Sequence, residues 1–231
     1  MLSRYQARSF FLIGTAVMTV VFIGLTVDTF RQIPVITNEA EMSASVIRGK
    51  HLWDVNNCMG CHTLLGEGGY YAPELTKAYE RRGEPFIRAM LKDPEAMYPG
   101  ERKMQQYDLT EEQITDLVEF LKWIGTMDLQ GFPPVPKLVS LAVPAGDKPV
   151  AQRTTQPKIY NQMCIACHAL NGQGGTIGPA LDGVGNRKTK EEIEIWLTDP
   201  LKVKPDSKMP KLPLTNEDIK ELGAYLSQLK S

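Results

Sequence analysis

All four cysteines and two of the three histidines fall in two short clusters, Cys58-Met59-Gly60-Cys61-His62 and Cys164-Ile165-Ala166-Cys167-His168. Two cysteines three apart with a histidine directly after the second form the attachment pattern of c-type haem. The thiols add across the two haem vinyl groups, and the short spacing carries the histidine under the ring, where its imidazole reaches the iron. A zinc site or a redox dithiol is the rival reading of CxxC. It fits less well, because zinc needs four ligands close in space and these pairs lie far apart in the chain, each with its own histidine. No cysteine is left for a disulfide framework.

The histidine count restricts the iron ligands. If His62 and His168 are proximal, only His51 remains, so the two haems cannot both be bis-histidine. Methionine is the usual alternative, and Met/His ligation raises the reduction potential. His51 itself reads either as a sixth ligand or proton-relay residue, or as a partly exposed helix histidine.

An internal repeat sorts the ten methionines. A shift of 106 residues places Cys58, Cys61 and His62 on Cys164, Cys167 and His168. It also places Gly66, Gly68, Gly69, Pro73 and Leu75 on Gly172, Gly174, Gly175, Pro179 and Leu181. After one residue is lost from the second copy, Lys103-Met104 meets Lys208-Met209 and Leu109-Thr110 meets Leu214-Thr215. Met90 faces Trp196 and Met97 faces Val203, so of the aligned methionines only Met104 and Met209 recur, each just before a helix. These two are the candidate axial ligands; the others read as core fillers. Pro73 and Pro179 have two readings. Their carbonyls could take the second ring N–H of each histidine and fix its orientation, or the prolines simply end a glycine-rich turn.

The elements that must position these residues are helical. Thr110-Glu-Glu-Gln113, Thr189-Lys-Glu-Glu192 and Thr215-Asn-Glu-Asp218 have the pattern of helix N-termini, and apolar residues at helical spacing follow each. A helix from about Ser45 delivers the chain to Cys58. No stretch alternates as a strand, so the fold class expected is all-α; with the CxxCH pattern present twice, one N-terminal transmembrane helix is followed by two domains that resemble class I cytochromes c. Ser9 to Val27 has no charge and is long enough at ~1.5 Å per residue to cross a bilayer. A buried core helix or a cleaved signal peptide is the alternative. Arg4 and Arg8 favour a cytoplasmic N-terminus, which leaves the haem domains on the periplasmic, outer face of the inner membrane. The expected division is a cytoplasmic N-terminus 1–8, an anchor 9–27, a juxtamembrane connector 28–44, domain 1 over 45–130, a proline-rich linker 131–156 and domain 2 over 157–231. The net charge of −1 argues against nucleic acid as a partner. Residues 31–130 carry a net −5, and residues 157–231 a net +1 with Lys202, Lys204, Lys208 and Lys211 around Met209. That basic rim reads as a transient dock for an acidic partner, the first domain included, or as a solvated loop.

The first copy resembles the cytochrome c subunit of bacterial cytochrome-c-dependent nitric oxide reductase. The resemblance lies in the anchor and Cys58-Met-Gly-Cys-His-Thr-Leu-Leu-Gly-Glu-Gly-Gly-Tyr-Tyr-Ala-Pro-Glu-Leu75, and continues in Glu101-Arg-Lys-Met104, the Leu109 to Gly125 helix and Gly131-Phe-Pro-Pro134. It implies His62 and Met104 as ligands of one haem c. It also implies a catalytic large membrane subunit with haem b and non-haem iron that reduces two NO to N2O, and a soluble periplasmic electron donor. Tyr70 is implied at the interface with that large subunit, near a calcium ion. Residues 150–231 depart from that pattern and resemble an ordinary class I cytochrome c, so the chain reads as a reductase subunit fused to its own electron-entry module. Two other classes remain open: a dihaem subunit of a haem–copper oxidase or free membrane-tethered shuttle, and a dihaem peroxidase, which would need an open iron site.

Overall fold

A computed structural model describes residues 3–100, 104–134 and 156–230. Most of the proline-rich linker, residues 135–155, and the Glu101-Arg-Lys segment lie outside the described residues. The chain begins with α1 (Arg4–Ile36), 33 residues with no buried side chain and a Ser3–Gln6 capping box. It is long and apolar enough to cross a membrane. Thr26 and Thr29 turn their hydroxyls back to the carbonyls of Phe22 and Leu25 at 2.8 and 2.9 Å, which satisfies them without water. The helix runs nine residues past the expected anchor, through Pro34, and so takes up half of the expected connector. Its end is fastened to domain 1. Asp128 N–H donates to Ile36 O, Asn38 Nδ2 to Thr126 O, and Trp123 Nε1 to Asn38 O.

Domain 1 is built on α2 (Ala44–Val55), α3 (Ala78–Lys92), α4 (Pro94–Met97) and α5 (Glu111–Thr126). Thr110 and Gln113 form the expected capping box, and the helical stripe Ile114, Leu117, Val118, Leu121 and Ile124 is buried against Val46 and Trp53. The helices α2 and α5 cross closely. A Cβ on Gly49 would collide with the Asp116 backbone. Beside the crossing, Arg48 pairs with the buried Asp116 carboxylate at 2.7 Å and Ser45 donates to it at 2.6 Å.

Domain 2 follows with α6 (Lys158–Met163), α7 (Val184–Arg187), α8 (Lys190–Thr198), α9 (Pro200–Val203) and α10 (Asn216–Ser227). Capping boxes open α8 and α10 at Thr189 and Thr215. Its core joins Ile159, Tyr160, Met163, Ile193, Leu197, Leu222 and Leu226, and it includes Phe86 and Met97 of domain 1. The fold is helical, as the sequence implies, with one addition. Each cysteine cluster is followed by a two-residue antiparallel pair, β1 (Thr63–Leu64) with β2 (Glu67–Gly68) and β3 (Ala169–Leu170) with β4 (Gln173–Gly174). The turns need positive φ at both central residues, Leu65-Gly66 and Asn171-Gly172. Asn-Gly is a strong hairpin signal, but strands of two residues are too short to show alternation.

Candidate haem c sites

Each CxxCH cluster folds as a single tight turn, Cys58–Gly60 and Cys164–Ala166, and the histidine N–H closes it on the first cysteine's carbonyl at 2.9 Å in both. The hairpin then reverses the chain. Gly69 N donates to Met59 O, Ala72 N to Cys61 O and Leu75 N to Thr63 O; Gly175, Gly178 and Leu181 repeat these three bonds with Ile165, Cys167 and Ala169. Gly68 and Gly174 have φ of +117° and +119°, and a Cβ on either would collide with the histidine carbonyl oxygen. The repeated glycines are thus required by a backbone folded tightly onto the attachment turn.

That return brings a proline carbonyl to each histidine. His62 Nδ1 lies 2.8 Å from Pro73 O, and His168 Nδ1 lies 2.8 Å from Pro179 O. A carbonyl only accepts, so Nδ1 carries the proton and Nε2 is left with its lone pair for a metal. Of the two readings of these prolines, the hydrogen-bonded one is observed in both copies.

In domain 1, Cys58, His62 and Met104 line one cleft whose walls include Leu75, Leu91, Leu117 and Leu121. The donor set and the apolar walls suit a haem c. The Trp53 indole N–H, in the same cleft wall, is buried without a hydrogen-bond partner among the described residues. A bound group with acceptor atoms would relieve that orphan donor. Burial pushes the Cys58 thiol up to about 11 and that of Cys164 up to about 12, and it raises that of Cys167. His51 is exposed on α2 and does not line the cleft.

In domain 2, Met209 packs against the apolar cluster that holds Cys164. Its backbone N–H donates to Ser207 Oγ at 3.1 Å, and its sulfur accepts the Trp196 indole N–H at 3.2 Å. Sequence reasoning missed this partner. The internal repeat sets Trp196 opposite Met90, and that mismatch speaks only against Met90. The lysines around Met209 are partly neutralised within their own loop: Lys202 and Lys211 face Asp199 at 3.9 and 3.6 Å, and Lys204 faces Asp206 at 3.8 Å. Tyr70 and Tyr71 stand in the loop after the first hairpin, 87% and 64% exposed.

A family model for cytochrome c matches residues 46–125 and again 157–230. The C subunit of nitric oxide reductase from Stutzerimonas stutzeri is 45% identical over 134 residues, 56% of this chain and 92% of that protein. The corresponding C subunit from Paracoccus denitrificans is 34% identical over 143 residues, 58% of this chain and 95% of its own length. Cytochrome c oxidase subunit 2 of Alkalihalophilus pseudofirmus is 38% identical over 76 residues, 29% of this chain and 22% of that protein. With the cytochrome c pattern present twice and nearly the full length of the reductase C subunits matched, the chain belongs to the cytochrome c family and, within it, to the family of nitric oxide reductase C subunits.

Proposed function

We propose that this chain is the membrane-anchored electron-transfer subunit of a nitric oxide reductase. It takes electrons from a soluble periplasmic donor and delivers them to a catalytic large membrane subunit, where haem b and non-haem iron reduce two NO to N2O. The observation that carries the reading is the match to the reductase C subunit, 45% identical across 92% of that protein. Only 56% of this chain is needed for it, which leaves room for the second domain as an electron-entry module.

On this reading each domain holds one covalent haem c, which supplies one-electron chemistry when bound. Cys58 and Cys61 attach the first, with His62 and Met104 as iron ligands; Cys164, Cys167, His168 and Met209 do the same for the second. Pro73 and Pro179 hold the imidazoles by their Nδ1 protons. The leucine walls of the domain 1 cleft exclude water, and that low polarity favours the less charged, reduced state. Electrons enter domain 2, pass to domain 1 and leave for the large subunit. The helix α1 crosses the inner membrane with Arg4 and Arg8 on the cytoplasmic side, so both domains face the periplasm, and the fastening of α1 to α5 holds domain 1 near the membrane surface. Tyr70 and Tyr71, replaced by Thr176 and Ile177 in the second copy, are the aromatic anchors that face the large subunit. Tyr70 does not build a calcium site alone. A calcium ion at this contact would lie between Tyr70 and the large subunit; among the described residues no three His, Cys, Asp or Glu side chains are grouped to hold a metal.

The test is purification of the native membrane complex, with assay of NO consumption driven by a reduced donor protein. Co-purification of a large subunit with non-haem iron, and NO-dependent oxidation of this chain, are expected. A copper-containing, oxygen-reducing partner would instead support the second reading, membership of an oxidase, which the 38% local match to an oxidase subunit 2 favours.

A further inference from the structure

The duplication provides an internal control for surface residues. The shift that superposes the haem turns also places Phe86 on Glu192, Met97 on Val203 and Tyr98 on Lys204. In the second copy these positions are exposed; Val203 shows 45% of its surface. In the first copy Phe86 and Met97 are 8% and 6% exposed, and the cluster that buries them belongs to domain 2, with Ile159, Tyr160 and Met163. The cytochrome fold does not require this outer face of α3 and α4 to be apolar. It is apolar where a second domain covers it. Two further details fit. At Gly83, where α3 breaks with a φ of +71°, a Cβ would press into the Gln162 side chain of α6. Tyr98 is half-buried against the same domain 2 cluster.

We propose that this face is a fixed electron-crossing surface, with domain 2 seated permanently on α3 and α4 rather than docking and undocking on its linker. It rests on the reading above that both domains carry a redox group. One electron leaves domain 2, which is oxidised, and reduces domain 1 across Phe86, Met97 and Tyr98. A one-electron carrier protein re-reduces domain 2, and the large subunit re-oxidises domain 1; no proton or group moves between the domains. A charge-steered encounter slows as salt rises. An apolar contact already formed has no such dependence, because screening acts on exposed charges.

The experiment uses the full-length, haem-loaded protein, with electron equilibration between the domains followed after a pulse of photoreductant. For the wild type, the rate is expected to be first order, independent of protein concentration, and flat within about twofold from roughly 0.01 to 1 M salt. Phe86→Glu places a charge in the apolar contact and is expected to slow the rate by about tenfold or more; Phe86→Ala, milder for folding, is expected to slow it less. A wild-type rate that falls steeply with salt overturns the proposal, as does an unchanged rate in both variants. A wild-type chain that binds one haem c rather than two overturns the dihaem reading beneath it, and haem counting separates the two failures.

Discussion

The two cytochrome domains share the haem turn, the hairpin and the histidine–proline hydrogen bond almost bond for bond. They differ in how the attachment helix is held. In domain 1, α2 has 12 residues and is locked to α5 by the close approach at Gly49 and the Arg48–Asp116 pair. In domain 2, α6 has six residues, starting behind Pro157, and α3 of domain 1 packs along it. The backbone that presents cysteines and histidine is thus independent of what braces the preceding helix. One copy braces it internally; the other draws on its neighbour. The methionines differ as well. Met209 is tied by Trp196 and Ser207, while Met90 occupies the place of Trp196 in the first copy.

The largest effect that can break this comparison is loss of a methionine. Met104→Ala and Met209→Ala are each expected to abolish the Met–iron absorption band of one domain and lower its potential by on the order of 0.1–0.3 V, within the ~0.8 V range that axial ligands command. Redox titration of both variants checks this, and a shift in both domains from one substitution would contradict the pairing of Met104 with His62 and of Met209 with His168. Next in size is the internal brace. Gly49→Ala drives α2 from α5 and is expected to destabilise domain 1 by about 1–3 kcal/mol, read as an earlier melting transition of that domain.

The pH response of the same brace sharpens the contrast. The hydrogen bond from Arg48 holds the Asp116 carboxyl below its ordinary value, against the opposing effect of burial. A carboxyl with a depressed folded pKa stabilises the fold above its unfolded value of roughly 3.9, and that stabilisation is lost as pH falls through the folded value. Acid unfolding monitored by far-ultraviolet dichroism is therefore expected to weaken domain 1 through this group, and Asp116→Asn to remove that part of the pH dependence. The smallest effect is electronic. With Met209 as the iron ligand proposed above, the Trp196 N–H, 3.2 Å from its sulfur, would draw electron density from that sulfur and favour the reduced state. Trp196→Phe is expected to lower the domain 2 potential by roughly 20–65 mV, equivalent to about 0.5–1.5 kcal/mol for one hydrogen bond. The domain 1 potential and the Met–iron bands should stay as they were.

Much was legible in the residues alone because the relevant constraints are local. Cysteine spacing, a capping box and a charge-free 19-residue run each act within a few helical turns, and the repeat compares the chain with itself. The proline carbonyls could be suspected on the same ground, since eleven residues and a glycine turn separate them from each histidine. The bracing of α2 by Asp116, the Trp196–Met209 bond and the burial of Phe86 in the other domain's core could not. Each joins segments that the sequence does not place side by side, and their pairing depends on how helices pack. The linear order therefore determined which residues are the candidates to attach and ligate haem. Only the packed structure decided which apolar face of domain 1 is covered, because burial is a property of neighbours in space, and an exposed and a covered phenylalanine read the same in the chain.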